Sequence, residues 1–281
     1  MHGVLALADT LRFPWGHARW TVLGLVIVTS GVLALLLRHS AARGYAPALR
    51  RVVCWGLAAV LTAGVATAEL QRVAAGVWTV EESLPLHLCD LAVLITVAAL
   101  WGVGRAGRSE LRGGKAESDR AGRETRWPQR LFEIAFVWGI GGTTQAVLTP
   151  DMDDTVLDSA CVRYFILHGG ILVGVLVLTF GVRLRLEPGA PQRVWLTTLA
   201  VATAVFPLNW LLGANYLYLM GPPRYPSLIE WLGPWPWYLA PLTGVATLLI
   251  LLCYAPFWLA DRRRRRDERA GSSRRTDASL L

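Results

Sequence analysis

The chain has 281 residues, 54% of them hydrophobic and 17% charged, with a mean hydropathy of +0.42. A soluble domain carries roughly 25% charged residues, so the composition excludes an ordinary water-soluble fold. It predicts an all-α polytopic membrane helix bundle. The net charge of +8 and pI near 9.8 do not point to nucleic acid. The bases lie in short loops between apolar runs and in the C-terminal tail, where membrane topology and anionic lipid account for them.

Seven apolar runs have the length a bilayer core demands. They cover residues 20–37, 52–70, 84–103, 131–149, 159–182, 194–213 and 237–259. Pro207 removes a backbone donor from the sixth, and a kink is expected there. The first run lacks a basic leader and a small-residue cleavage site, so it is expected to stay as an anchor. Residues 1–19 form an expected extracytoplasmic segment, 20–259 the bundle and 260–281 a basic cytoplasmic tail. Within the bundle, residues 105–126 are rich in Gly, Arg, Ser and Glu and are expected to form a flexible cytoplasmic loop. Counting Lys and Arg loop by loop puts twenty-three on one side and four on the other. The positive-inside rule then predicts the N-terminus outside and the C-terminus inside, in the cell (plasma) membrane.

This alternation sorts the polar residues by depth. Ser83-Leu84-Pro85-Leu86-His87-Leu88-Cys89-Asp90 opens the third run. Pro85 suits a first helical turn, which would put His87, Cys89 and Asp90 in the first two turns. Glu69, Gln145, Thr149, Arg163, His168, Asn209 and Asn215 fall in the same leaflet from four other runs. The other leaflet offers little beyond Glu133 and terminal arginines. Polar groups at membrane depth normally face the bundle or a cavity, so an outward-opening polar pocket is expected.

Cysteine is a strong nucleophile as a thiolate, and a helix N-terminus and a nearby base favour that form. His87 lies about 200° around a helix from Cys89, whereas Asp90 shares the His87 face. The base for Cys89 is therefore sought on another helix, and His168 is the candidate. Gln145, Arg163, Asn209 or Asn215 would bind a headgroup or an oxyanion. Each has a plainer reading: Cys89 as packing, His168 as a structural hydrogen bond, Arg163 as a partner of Asp158, Asn209 as a cap beside Pro207. A disulfide between Cys89 and Cys161 would remove the thiol chemistry. The acids Asp151, Asp153, Asp154 and Asp158 lack the spacing of a calcium loop, and no metal or other cofactor is expected.

Several stretches carry a family resemblance. Leu84-Pro85-Leu86-His87-Leu88-Cys89-Asp90-Leu91 is similar to the head of a middle span in YwaF-type bacterial integral membrane proteins, which resemble the eukaryotic transmembrane protein 164 family. Gly139-Ile140-Gly141-Gly142-Thr143-Thr144-Gln145, Tyr164-Phe165-Ile166-Leu167-His168-Gly169-Gly170 and Asn209-Trp210-Leu211-Leu212-Gly213-Ala214-Asn215-Tyr216 fit the same family. The resemblance covers residues 52–259. It implies a lipid acyltransferase acting on membrane phospholipids through a cysteine thioester, with Cys89 as nucleophile and His168 assisting; His87 competes for that role.

Two other classes stay open. In a proton-coupled transporter or binding protein, Glu69, His87, Asp90 and His168 would carry protons or substrate. In a structural membrane protein the polar cluster would only orient helices.

Overall fold

The computed structural model describes residues 15–42, 46–106, 127–148, 159–223 and 228–278. Among them every regular element is helical. Seven long helices form. They are α1 (Trp15–Ala42), α2 (Ala46–Ala74) and α3 (Leu88–Arg105). Next comes α4, built from Trp127–Val137, a π-helical stretch Trp138–Thr143 and a last turn Thr144–Leu148. Then come α5 (Ser159–Leu176, continued by π-helical Val177–Gly181), α6 (Ala190–Leu212) and α7 (Leu239–Ala278). Each contains a segment long and apolar enough to cross a bilayer, and a helix satisfies its own backbone there.

The seven predicted spans are all present. The third begins at Leu88 rather than at residue 84, because Pro85 lacks a donor and disfavours helix in the residue before it. The amide of Leu86 instead bonds the Leu84 carbonyl at 2.7 Å, and His87 is extended (φ −69°, ψ 154°). At the other end of the chain, α7 runs through Arg262–Arg266 to Ala278, well past the end of the seventh apolar run at residue 259. Arginine is a good helix former and α7 gives it a template to extend. Pro207 lies inside α6 without ending it. The acidic residues between α4 and α5, Thr149, and the loop 107–126 lie outside the described residues.

Contacts fix an alternating up-and-down arrangement. Arg50 at the start of α2 bonds the Ala106 carbonyl after α3. Gly102 of α3 meets the Trp127 ring that opens α4, and Gly142 of α4 returns to Leu88 at the head of α3. Arg185, after α5, bonds Asp261 of α7 at 2.7 Å. One end of the bundle thus holds His87 and the other Glu133. Among the described bases, Arg19, Arg72 and Arg163 lie at the His87 end. Arg38, Arg50, Arg51, Arg105, Arg130, Arg183, Arg185, Arg193 and the α7 run lie at the Glu133 end.

α3 and α5 form the centre, with Ala92, Val93, Thr96, Leu100, Ile171, Val175 and Leu178 all buried. Outward faces of α1, α6 and α7 expose Ile27, Leu35, Trp210, Leu211, Leu248 and Leu252, a surface suited to lipid rather than water. Small residues let the central backbones approach. A Cβ on Gly174 of α5 would stand 2.9 Å from Thr96 Cγ2 of α3, and one on Gly170 would stand 2.7 Å from Leu61 Cδ2 of α2. At the Glu133 end, the buried carboxylate of Glu133 receives a bidentate pair of bonds from Arg193 at 2.9 and 2.7 Å. The Glu187 amide adds a bond at 3.3 Å. This closes α4 against α6 by the strongest kind of ion-pair geometry.

Candidate functional site

The site grows from the turn ahead of α3. Ser83 bonds Thr79 through backbone and side chain, at 2.9 and 3.2 Å, and folds the segment back. The buried Tyr216 hydroxyl then pins it: it donates to the Val80 carbonyl at 2.7 Å and accepts from the Leu84 amide at 2.9 Å. Tyr216 is itself held by Asn209, whose amide group bonds the Tyr216 backbone twice, at 2.8 and 2.9 Å. Asn215 bonds the Gly221 carbonyl and the Met220 amide, both at 2.9 Å. Both asparagines are therefore engaged by the backbone of the loop after α6, and through Tyr216 that loop sets the head of α3.

His87 is the N-cap of α3, and its carbonyl accepts the first helical bond from Leu91 at 3.1 Å. Its ring packs edge-on to Tyr216, with centroids 5.1 Å apart, and tilted to Tyr218 at 5.6 Å. Burial and the Arg72 guanidinium hold the His87 imidazole below its ordinary pKa, with Glu82 opposing, so the ring is neutral at pH 7. The Asp90 carboxylate accepts from the His87 backbone amide, which is the return bond of a capping box. Asp90 thus fixes the head of the helix, whereas the sequence pattern would pair it with His87 on one helical face.

Cys89 is half-buried in the first turn, its thiol against its own amide and that of Asp90. Amides at a helix start have no helical acceptor and favour a thiolate or an oxyanion beside them. All four cysteines are free, so no bridge to Cys161 consumes the thiol. Cys89 lies seven residues before Thr96, two helical turns, on the buried face with Ala92 and Val93.

His168 sits on α5, which runs parallel to α3. It lies six residues before Gly174, the residue that meets Thr96. Cys89 and His168 therefore stand about 9–10 Å from one shared contact, at one depth toward the His87 end. Around the helix, His168 is turned about 120° from Gly174. It joins Ile171 and Val175, whose side chains meet Gly139 of α4. The ring thus faces the α4 wall, and α3 lies beside that direction. Its Nδ1 lies 2.8 Å from the Tyr164 carbonyl and its ring stacks on Tyr164 at 3.9 Å. A carbonyl only accepts, so Nδ1 donates to it, and in the neutral ring Nε2 keeps its lone pair. The Tyr164 hydroxyl continues to the Ala146 carbonyl of α4 at 2.9 Å.

The remaining candidates sit at the rim. Gln145 is exposed on the last turn of α4, and Arg163 donates to Gln71 of α2. Arg72 was missed because it counts as a loop base in the sequence. In the structure it ends α2, bonds Glu69 at 2.5 Å and acts electrostatically on His87, Cys89 and Asp90. Tyr216 was also missed, since nothing in the sequence links it to residues 80–84. Two cavities lie elsewhere: one of 260 Å³ against Ala202, Thr203, Phe206 and Leu219, and one of 350 Å³ among Phe136, Leu176, Arg185 and Phe257. Cys89 and His168 line neither, so the predicted outward pocket is not one of these two.

Fold and site together define a seven-helix integral membrane protein with a thiol, a capped helix start and two histidines gathered at one end. Residues 13–254 match the family model described as the TMEM164 family. The chain belongs to that family. No curated protein and no solved structure matches it.

Proposed function

We propose that this protein is a cysteine-dependent lipid acyltransferase or acyl hydrolase, working at the outer leaflet of the plasma membrane. The observation that carries the proposal is the setting of Cys89. The thiol lies against the Cys89 and Asp90 amides at a helix start, level with a histidine whose Nδ1 faces a carbonyl, which in the neutral ring leaves Nε2 its lone pair. The implied chemistry of the family resemblance agrees with it. The gathering of bases at the Glu133 end supports an outward-facing His87 end.

In this reading His168 takes the thiol proton and Cys89 attacks the ester carbonyl of a phospholipid. The S–C bond forms, and the carbonyl electron pair moves onto oxygen beside the Asp90 amide. On collapse the C–O bond breaks and the leaving alkoxide takes the proton from His168. A lysophospholipid hydroxyl or water then attacks the thioester, with His168 again the base. In this reading the Arg72 guanidinium, more than a third exposed beside Glu69, meets a phosphate headgroup.

The test is turnover of defined phospholipids by purified protein in vesicles, with mass spectrometry of the Cys89 peptide. An acylated Cys89 is expected in the wild type, with loss of turnover in Cys89→Ser and slow acylation in His168→Gln. Full turnover by Cys89→Ser would refute the mechanism.

A further inference from the structure

A ligand-sized space lies at the opposite end of the bundle from Cys89. The cavity of 350 Å³ is walled by α4, α5 and α7, and ligand pockets run from roughly 300 to 1,000 Å³. Phe136 of α4 and Phe257 of α7 close one side of it, edge to face at 5.5 Å. Ile140 and Leu176 line it toward the middle of the bundle. Phe180, Pro256 and Ala260 are exposed and open its mouth sideways, onto the lipid-facing surface. α7 is the least covered of the seven spans: 6% of its apolar stretch is buried, against 56% for α5.

The one charged wall of the cavity is Arg185, just past the end of α5. Gln129 of α4 holds its backbone carbonyl at 2.6 Å. Its Nη2 reaches α7, donating to Asp261 at 2.7 Å and to the Phe257 carbonyl at 3.3 Å. Nε and Nη1 make no hydrogen bond among the described residues, and the side chain is 44% exposed. A second guanidinium stands beside the first. Arg38 of α1 is exposed, and its Nε bonds the carbonyl of Phe180, a residue of the cavity mouth, at 2.7 Å. Its two Nη groups have no partner among the described residues. Past Ala260, α7 continues into Arg262–Arg266, and the Arg262 guanidinium lies 4.6 Å over the Trp258 ring, a pairing suited to the membrane interface. The space is thus amphipathic along its depth, apolar toward the bilayer middle and cationic at the headgroup level.

We propose that this cleft between α5 and α7 binds an anionic phospholipid. One acyl chain fills the cavity, and the phosphate accepts bonds from the unused donors of Arg185 and Arg38. Two guanidinium groups against the single carboxylate of Asp261 favour a headgroup with net negative charge. A second copy of the chain fits this face less well. A two-fold axis along the bilayer normal would bring its basic end to the same level, where like charges repel. The site is separate from the Cys89 end and holds whether or not Cys89 acts on lipid.

The test is native mass spectrometry of the full-length protein in detergent, titrated with dioleoyl phosphatidylglycerol or dioleoyl phosphatidylcholine, with melting temperature alongside. Wild type is expected to retain phosphatidylglycerol in preference and to melt higher in its presence. Arg185→Gln should weaken that retention by at least ~10-fold. Asp261→Asn breaks the same ion pair but leaves the guanidinium, so it should retain phosphatidylglycerol at least as well as wild type. Arg38→Gln leaves the ion pair intact and should weaken retention about 5-fold, which keeps the test open if Arg185→Gln does not fold. Ala260→Trp, which puts an indole in the cavity mouth, should lose the lipid while its melting temperature in lipid-free detergent holds. Equal losses in Arg185→Gln and Asp261→Asn would mean that the ion pair only packs helices, and would overturn the site. Equal retention of the two lipids, or undiminished retention in either Arg38→Gln or Ala260→Trp, also overturns it. A lipid-free dimer that Ala260→Trp dissociates would assign the face to a second copy instead.

Discussion

Replacing Tyr216 by Phe removes one oxygen and keeps the ring against His87. The hydroxyl holds two backbone groups of the segment before α3, the Val80 carbonyl at 2.7 Å and the Leu84 amide at 2.9 Å. Each bond is worth about 1 kcal/mol net. The ring is fully buried, but Val80 is 39% exposed, so water reaches that part of the turn and keeps the penalty near the low end. The expected cost is about 2 kcal/mol for opening the turn, which is roughly 30-fold faster amide exchange at Leu84. Hydrogen exchange in nanodiscs reads this directly. Protection in the middle of α3 should hold, because Thr96 and Leu100 pack on Gly174 whatever the turn does. Asn209→Ala should loosen the same amides by releasing the Tyr216 backbone. If exchange at Leu84 changes by less than threefold in Tyr216→Phe, the hydroxyl does not anchor this segment.

Other outcomes follow from the same contacts. Arg193→Met leaves the Glu133 carboxylate, 1% exposed, with only Arg130 at 3.8 Å and the Glu187 amide, and should cost about 2–3 kcal/mol. The double change Glu133→Leu with Arg193→Leu should cost less than the single one in detergent unfolding; simple additivity would refute the pairing. His87 has a folded pKa below its unfolded value, so below pH 6.5 the unfolded chain binds more protons and stability falls as pH drops, until pH lies below the folded pKa. His87→Gln should flatten that acid limb, and an NMR titration midpoint at or above 6.5 would contradict it. Gly174→Ala should cost about 1–3 kcal/mol and slow Cys89 acylation, because its Cβ meets Thr96 Cγ2 at 2.9 Å; a neutral melting temperature would mean that α3 and α5 adjust freely.

Seven apolar runs of bilayer length determine seven helices, because a chain in hydrocarbon must bond its own backbone. Alternation of direction then assigns each polar residue a depth, which is why Cys89 and His168 could be grouped from sequence alone. Depth, however, is one coordinate of three. The direction of a side chain around its helix depends on which neighbour the helix packs on, and the sequence does not print that. The Gly174–Thr96 seam turns His168 toward α4, and a tyrosine more than a hundred residues away ties down the segment before Cys89. Asn209, Asn215 and Asp90 looked like ligand-binding groups at the right depth, and the fold spends them on backbone amides and carbonyls. Local composition determined the spans, but only tertiary packing decided which polar groups remain free, because a hydrogen bond is spent or spared by what lies within 3 Å of it.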